Sequence, residues 1–260
     1  GSPVAGGGIG LSTKSWLAWY FDNGGKELYD QLWSEMGMNV KGFVMASSGP
    51  EALGWFKEPI KNMDDFRKYR FRTPPGIPGQ TYKDIGIASV SLSGGDILPA
   101  LEKGTIDAAE WCCPKPDSVF GFQKVLKNYY LQGLHQNVVN GDIYINGDVY
   151  NSLTDHQKYA MEVASEAMIT RNITNRAVEN GKALIDLTEN HGVKLWDTPA
   201  DYFTEYMNAA QATLKKNAAS NAFFKEVYEH MTAHAKIVVP FIAQMETSDA
   251  SIGTAFASQQ

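Results

Sequence analysis

The sequence has no long apolar run. Nothing in it approaches the ~18 uninterrupted apolar residues that a membrane-spanning helix needs, so none is predicted. It is poor in positive charge. Its 23 Lys and Arg stand against 29 Asp and Glu, a net charge of −6, and they form no cluster. That excludes a nucleic-acid footprint, because phosphate binding needs grouped Lys and Arg. Cysteine is nearly missing. The two present, Cys112 and Cys113, are adjacent and so cannot staple distant segments; they read as packing thiols, with a strained vicinal disulfide as the alternative. The chain as given opens on Gly1-Ser2 and a Gly-rich stretch rather than on a Lys/Arg-led apolar leader.

Enzyme signatures are missing too. Gly6-Gly7-Gly8-Ile9-Gly10 is not followed by Lys-Ser/Thr at phosphate-loop spacing. No GxSxG elbow supports a hydrolase. His230 and His234 stand at i, i+4, but the neighbouring acid is Glu229, on the wrong side for HExxH. They read as solvated helix histidines, and His135 and His156 have no obvious partners.

What remains is a chain of 260 residues, 43% hydrophobic and 20% charged, long enough for one large domain or two modest ones. Trp16, Trp19 and Tyr20 at i, i+3, i+4 predict a helix from Thr13, and Leu28, Leu32 and Trp33 a second. Residues 41–111 alternate strands (41–46, 54–56, 70–73, 106–111) with helices (63–69, one near Tyr82, and one capped by Asp96 and closed by Gly104). Residues 76–95 read as mostly loop. After Pro114 come a helix and a strand pair ending at Asn146. A very long helix runs from Thr154 to about Glu189, and a last strand covers 193–196. Two helices follow Pro199, the second holding Pro240, with a fraying end from Ser248. This is an α/β pattern.

Two places invite a ligand. Arg70 and Arg72 share one face of a strand, where a guanidinium meets a carboxylate bidentately or simply rests as a solvated edge charge. Glu110 closes the strand IDAAE beside Trp111. A carboxylate there points into a crevice or lies on the surface next to a core tryptophan.

The strings GGDILPALEKGTIDAAEW (Gly94–Trp111), GWFKEPI (Gly54–Ile60), FRTPPG (Phe71–Gly76) and NYYLQG (Asn128–Gly133) are more specific. From about Ser12 to about Met245 the chain resembles the solute-binding proteins of tripartite ATP-independent periplasmic (TRAP) transporters. The nearest branch is the one that binds α-keto acids. The resemblance implies a two-lobed α/β clamshell of the periplasmic-binding-protein kind, braced by a long helix. It implies a periplasmic protein with no catalysis and no organic cofactor, whose partners are a small organic acid and membrane permease subunits. It implies lobe I at residues 1–52 and 140–200, lobe II at 53–139, and C-terminal helices at 201–260 packing across both, with a homodimer through the C-terminal helix. Arg72 takes the place of the arginine that grips the substrate carboxylate. Glu110 and the Trp111 carbonyl take the places of ligands to a cation, Na⁺ or Ca²⁺, that bridges protein and substrate.

Two positions depart from that branch. Glu51 stands where it has a metal-binding Gln, and Gln136 where it has a Glu beside the substrate, as if amide and carboxylate had been exchanged. The branch also carries βα units before the point where this chain begins, so its first lobe is expected to be partial. Two rival readings accompany this one. One is the same family with a polyol, an aromatic acid or a larger hydroxy acid as ligand. The other is a metal-dependent enzyme on 2-oxo acids with Glu110 as base.

Overall fold

In this computed structural model, which describes residues 8–259, local sequence signals account for most elements. The Gly1-Ser2 start and most of the Gly-rich stretch lie outside the described residues. Ser12 caps α1 (Thr13–Asp22) in a reciprocal box with Ser15. Trp16, Trp19 and Tyr20 turn inward as their spacing requires and are at most 3% exposed. α2 (Gly25–Glu35) adds Leu28 and Tyr29 to the same core. β1 (Val40–Ser48) pairs antiparallel with β7 (Val139–Asn146).

The second sheet holds β2 (Gly54–Phe56), β3 (Arg70–Arg72), β4 (Ala88–Val90), β5 (Ala108–Ala109), β6 (Asn128–Tyr130) and β8 (Lys194–Trp196). Its spatial order is β4-β3-β5-β2-β6-β8. β3 runs parallel to β4 and β5, and β2 antiparallel to β5 and β6. One edge of this sheet therefore collects the C-terminal ends of β3, β4, β5 and β6 and the N-terminal end of β2. Short helices connect the strands: α3 (Met63–Phe66) leads into β3, α4 (Ile77–Asp84), α5 (Gly94–Glu102) and α6 (Pro114–Phe120) follow β3, β4 and β5, and α7 (Gly147–Ser152) follows β7.

Three long helices tie the two sheets together. Thr154 and Gln157 form a capping box at the start of α8 (Asp155–Asn190). At 1.5 Å per residue that helix runs about 54 Å. Its Ile169 packs in the core of Trp16, Tyr20 and Val44, and its Leu187 in the core of Trp55 and Tyr129. α9 (Ala200–Ser220) buries Tyr202 and Tyr206 against Phe56, Phe66 and Phe71. α10 (Ala222–Ala257) returns Val227 and Met231 to the tryptophans of α1. The expected bracing helix is thus present, and the chain is an α/β fold.

Several expectations need correction. The residue flanking α5 is Ser93, not Asp96; Asp96 sits in the first turn and takes a hydrogen bond from the Ser93 hydroxyl. Within residues 76–95 the helix expected near Tyr82 is α4, but the stretch also holds the strand β4 where loop is expected. The strands after α6 are not a pair: β6 joins the six-stranded sheet and β7 joins β1. β8, assigned with lobe I by sequence order, lies beside β6. The C-terminal segment stays helical to Ala257, where Ser248 was expected to start a frayed end. His230 and His234 are not solvated. His230 Nδ1 accepts from Trp19 Nε1 at 2.9 Å, and His234 lies 2.9 Å from both Asn23 Nδ2 and the Ser15 carbonyl, so the two pin α10 to α1.

Candidate functional site

The shared sheet edge decides which side chains meet. Arg72 ends β3, Glu110 follows β5, His135 follows β6 and Glu51 precedes β2. All four are buried, with 5%, 0%, 1% and 5% exposure. Close backbone approach seals the arrangement. A Cβ on Gly133 would lie 2.6 Å from the Glu51 carbonyl oxygen, so only glycine lets the segment after β6 reach Glu51. Gly54 has φ +133°, and a Cβ there would lie 2.6 Å from the Ala109 carbonyl.

Arg72 is held on both sides. Its Nε and Nη2 donate to the Leu92 carbonyl at 3.1 and 3.0 Å. Its Nη1 donates to the Glu110 carbonyl at 3.0 Å and to Glu110 Oε1. A guanidinium has five N–H donors, so these four bonds leave one Nη2 proton unassigned. The Trp111 ring covers the guanidinium, 5.1 Å from its carbon to the ring centre. Arg70, on the same strand, is an exposed partner of Asp107 and takes no part.

The other oxygen of Glu110 faces Glu51 and His135. His135 Nε2 lies 3.5 Å from Glu110 Oε2 and 3.6 Å from Glu51 Oε2, longer than good hydrogen bonds. Among the described residues, none of these three buried atoms has a hydrogen-bond partner. Buried polar atoms are almost always satisfied, and three orphans converging within 4.8 Å of one another form a group suited to a metal ion. Two carboxylate oxygens and an imidazole nitrogen fit a cation. On the far side of the ring, His135 Nδ1 lies 3.2 Å from the Tyr82 hydroxyl, which lies 3.0 Å from the Tyr202 hydroxyl. A proton on Nδ1 directed to Tyr82 leaves the Nε2 lone pair facing the carboxylates.

The electrostatics follow from burial. Burial alone pushes the His135 pKa down, but Glu110 and Glu51 outweigh it and lift the imidazole to about 9. Burial raises Glu51, with the Glu110 charge adding to it and His135 opposing. Without a cation, a proton on His135 is thus the charge that balances the carboxylates.

Behind the cluster, Asp117 is fully buried. Its Oδ2 accepts from Trp55 Nε1 and the Tyr129 hydroxyl, both at 2.9 Å. Its Oδ1 accepts from the Cys112 and Cys113 amides at 3.0 and 3.1 Å. Burial pushes its carboxyl up to about 7 against the pull of these donors. It fixes the backbone that follows Trp111. The hydrogen bond between the two free thiols holds Cys113 down to about 7, Arg176 assisting, and pushes Cys112 up.

Of the residues expected at a site, Glu51, Arg72, Glu110 and Trp111 come together. Gln136 does not join them. It lines a separate cavity with Trp16, Tyr29 and Trp33, and only its carbonyl reaches the cluster segment, accepting the Glu51 amide at 3.0 Å. Neighbouring side chains in the turn after β6 diverge, so one position decides which faces the carboxylates, and it is His135. The sequence offered no signal for His135, whose partners Glu51, Tyr82 and Glu110 come from three distant segments. Asp117 was equally silent, since a buried Asp looks like any surface acid.

The family model for bacterial extracellular solute-binding proteins, family 7 (DctP), matches residues 11–221. A monocarboxylate 2-oxoacid-binding periplasmic protein of Nostoc is 33% identical over 235 residues. The match covers 88% of this chain and 62% of that protein, so the chain spans less than two thirds of that relative's length. A TRAP transporter solute-binding protein of Bordetella bronchiseptica superposes with a TM-score of 0.90 at 28% identity, over 97% of this chain and 74% of that one. It is described as a mixed-occupancy dimer with copurified calcium and picolinate in one active site. A TRAP solute-binding protein of Colwellia psychrerythraea, with bound calcium and pyruvate, gives 0.84 at 24% identity over 95% of this chain and 74% of that one. Its likeness is one of fold.

Proposed function

Because the chain belongs to the bacterial extracellular solute-binding proteins of family 7, we propose that it captures a small 2-oxo or 2-hydroxy carboxylate in the periplasm and delivers it to the membrane subunits of a TRAP transporter. The observation that carries this reading is the orphaned trio, Glu51 Oε2, Glu110 Oε2 and His135 Nε2, set beside Arg72. Glu51 and Glu110 hold a hard cation, with the Trp111 carbonyl as a further oxygen ligand. Two carboxylates plus the carboxylate of the acid favour Ca²⁺ over Na⁺, because Ca²⁺ takes six to eight oxygens. When bound, the cation supplies positive charge that the acid and the protein share. Arg72 turns its unassigned Nη2 proton to the acid. Glu110 would meet the cation through Oε2 while its Oε1 keeps Arg72 in place beside the acid.

The ligand class follows from the donor geometry. Picolinate, described for the Bordetella protein, and the 2-oxo acids of the Nostoc relative share one feature. Each places a second donor atom next to the carboxylate and so chelates a cation through a five-membered ring. An aromatic 2-carboxylate is therefore the second reading. The lobes, residues 1–52 with 140–193 against 53–139 with β8, close over the acid and exclude water, which strengthens every charged contact inside. The test is a tryptophan-fluorescence titration with 2-oxo, 2-hydroxy and pyridine-2-carboxylic acids, in Ca²⁺, in Na⁺ and after chelation. A saturable response that needs the cation is expected. Acid binding that survives chelation would remove the cation from the reading.

We also propose a homodimer through α10. Ile237, Phe241, Met245, Ile252 and Phe256 are each at least 50% exposed. At 100° per residue they fall within a stripe about 100° wide, the geometry of a helix face that packs on another helix. Sedimentation should give a dimer, and Ile237→Lys with Phe241→Lys a monomer of unchanged ligand affinity. A wild-type monomer at ~50 μM, far above the Kd of a stable interface, would rule this out.

A further inference from the structure

Cys112 and Cys113 have no role in the reading above, yet their setting is built. Their sulfurs lie 2.8 Å apart, and Arg176 of α8 places Nη2 2.8 Å from each. Both thiols line a cavity of about 280 Å³ between the end of β1 and α8, whose wall includes Glu51 and Asn180. We infer that this pair is a thiol–disulfide exchange site for small disulfides. It closes to a reversible vicinal disulfide that loosens the adjoining carboxylate cluster. The effect on cation binding, though not the disulfide itself, rests on the cation reading.

The chemistry balances with a low-molecular-weight disulfide as oxidant. The Cys113 thiolate attacks one sulfur of that disulfide and expels the first small thiolate. Cys112 releases its proton to water and attacks Cys113 Sγ, and the S–S bond to the adduct breaks, expelling the second thiolate. The two protein thiols lose two electrons and two protons; the oxidant becomes two thiols. Arg176 supplies fixed positive charge where sulfur is negative.

The coupling lies in one peptide unit. The Cys112 carbonyl accepts the Ala52 amide at 2.8 Å, and the Cys113 amide donates to Asp117 at 3.1 Å. Adjacent Cα atoms are about 3.8 Å apart across a trans peptide, below the ~4.4 Å that disulfides ordinarily need. Ring closure therefore twists this unit and pulls it from Ala52 or Asp117. Ala52 adjoins Glu51, and Cys112 lies two residues from Glu110, so the twist displaces the backbone of both carboxylates. Displacing groups that orient metal ligands typically costs ~10–100-fold in metal affinity.

The experiment treats the full chain with oxidised glutathione and reads intact mass, hydrogen exchange at the Ala52 amide, and Ca²⁺ affinity by calorimetry. We expect loss of two hydrogens without an adduct, a peptide linking Cys112 to Cys113, and faster exchange at Ala52. Ca²⁺ affinity should fall at least ~10-fold and return with reductant. Cys113→Ser should bind Ca²⁺ like the reduced wild type and show no response to oxidant. A persistent glutathione adduct, a cross-linked dimer or unreacted thiols would overturn the proposal. So would a disulfide that leaves Ala52 exchange unchanged. If the reduced protein binds no Ca²⁺, the cation reading is what fails, and the mass and Ala52 measurements still decide for or against the disulfide.

Discussion

Replacing Arg72 with alanine is expected to weaken acid binding by at least ~10²-fold, because a charge-assisted bond to a buried carboxylate is worth about 3 kcal/mol. Three further consequences separate this from general damage. First, the substitution strips Glu110 Oε1 and the Glu110 and Leu92 carbonyls of their donor. Breaking a buried pair costs about 3–5 kcal/mol, and since Glu110 keeps its contact with His135, the lower end is expected, read as a fall in Tm. Second, Ca²⁺ binding without acid should persist, since Glu51 and Glu110 remain. Third, Arg72→Lys should recover stability more than affinity. An ammonium is a point charge and cannot reach Leu92 and Glu110 with a planar fork while keeping a donor for the acid. Folded Arg72→Ala protein that binds the acid within about twofold of wild type would take Arg72 out of the role.

How much of this was legible beforehand depended on how local each signal is. Gly54–Phe56 and Arg70–Arg72 announced themselves as strands, and Thr154 with Gln157 announced the start of α8, because neighbours within four residues carry those signals. β4 was hidden: Ala88–Val90 is short, and its pairing with β3 comes from a partner 18 residues away. The end of α10 was misread because its small and polar residues suggest fraying, while the helix in fact continues to Ala257. In the site, Arg72, Glu110 and Trp111 stand inside strings long enough to be specific. His135 stands in none, and its meaning arises only when β5 and β6 flank β2 and bring Glu110, Glu51 and the turn after β6 to one edge. Gln136 is expected there only through its alignment with a Glu of the related branch, and an alignment fixes its place in the turn but not which way its side chain faces.

The stability of the cation-free protein should fall as pH rises through the range in which His135 loses its proton. Its folded pKa, about 9, lies above the ordinary value of 6.5. The folded state therefore binds the proton more tightly than the unfolded chain does. The resulting stabilisation is fully present below pH 6.5 and is lost as pH climbs through 9, a difference of about 3 kcal/mol for a shift of this size. Glu51, raised by burial, acts in the same direction from lower pH. Tyr82, against His135 Nδ1, and Tyr202 beyond it are pushed above their ordinary range by burial. A cation between Glu51 and Glu110 takes over the role of that proton, so the two compete. Ca²⁺ affinity should rise with pH by up to ~10-fold per unit below 9, and calorimetry in buffers of different ionisation enthalpy should register about one proton released per ion. Added Ca²⁺ should flatten the loss of Tm between pH 6.5 and 9. His135→Asn should abolish both the proton release and the slope while keeping some Ca²⁺ affinity through the carboxylates. If that variant keeps the wild-type slope, the titrating group lies elsewhere, and the imidazole is only a spacer between the two acids.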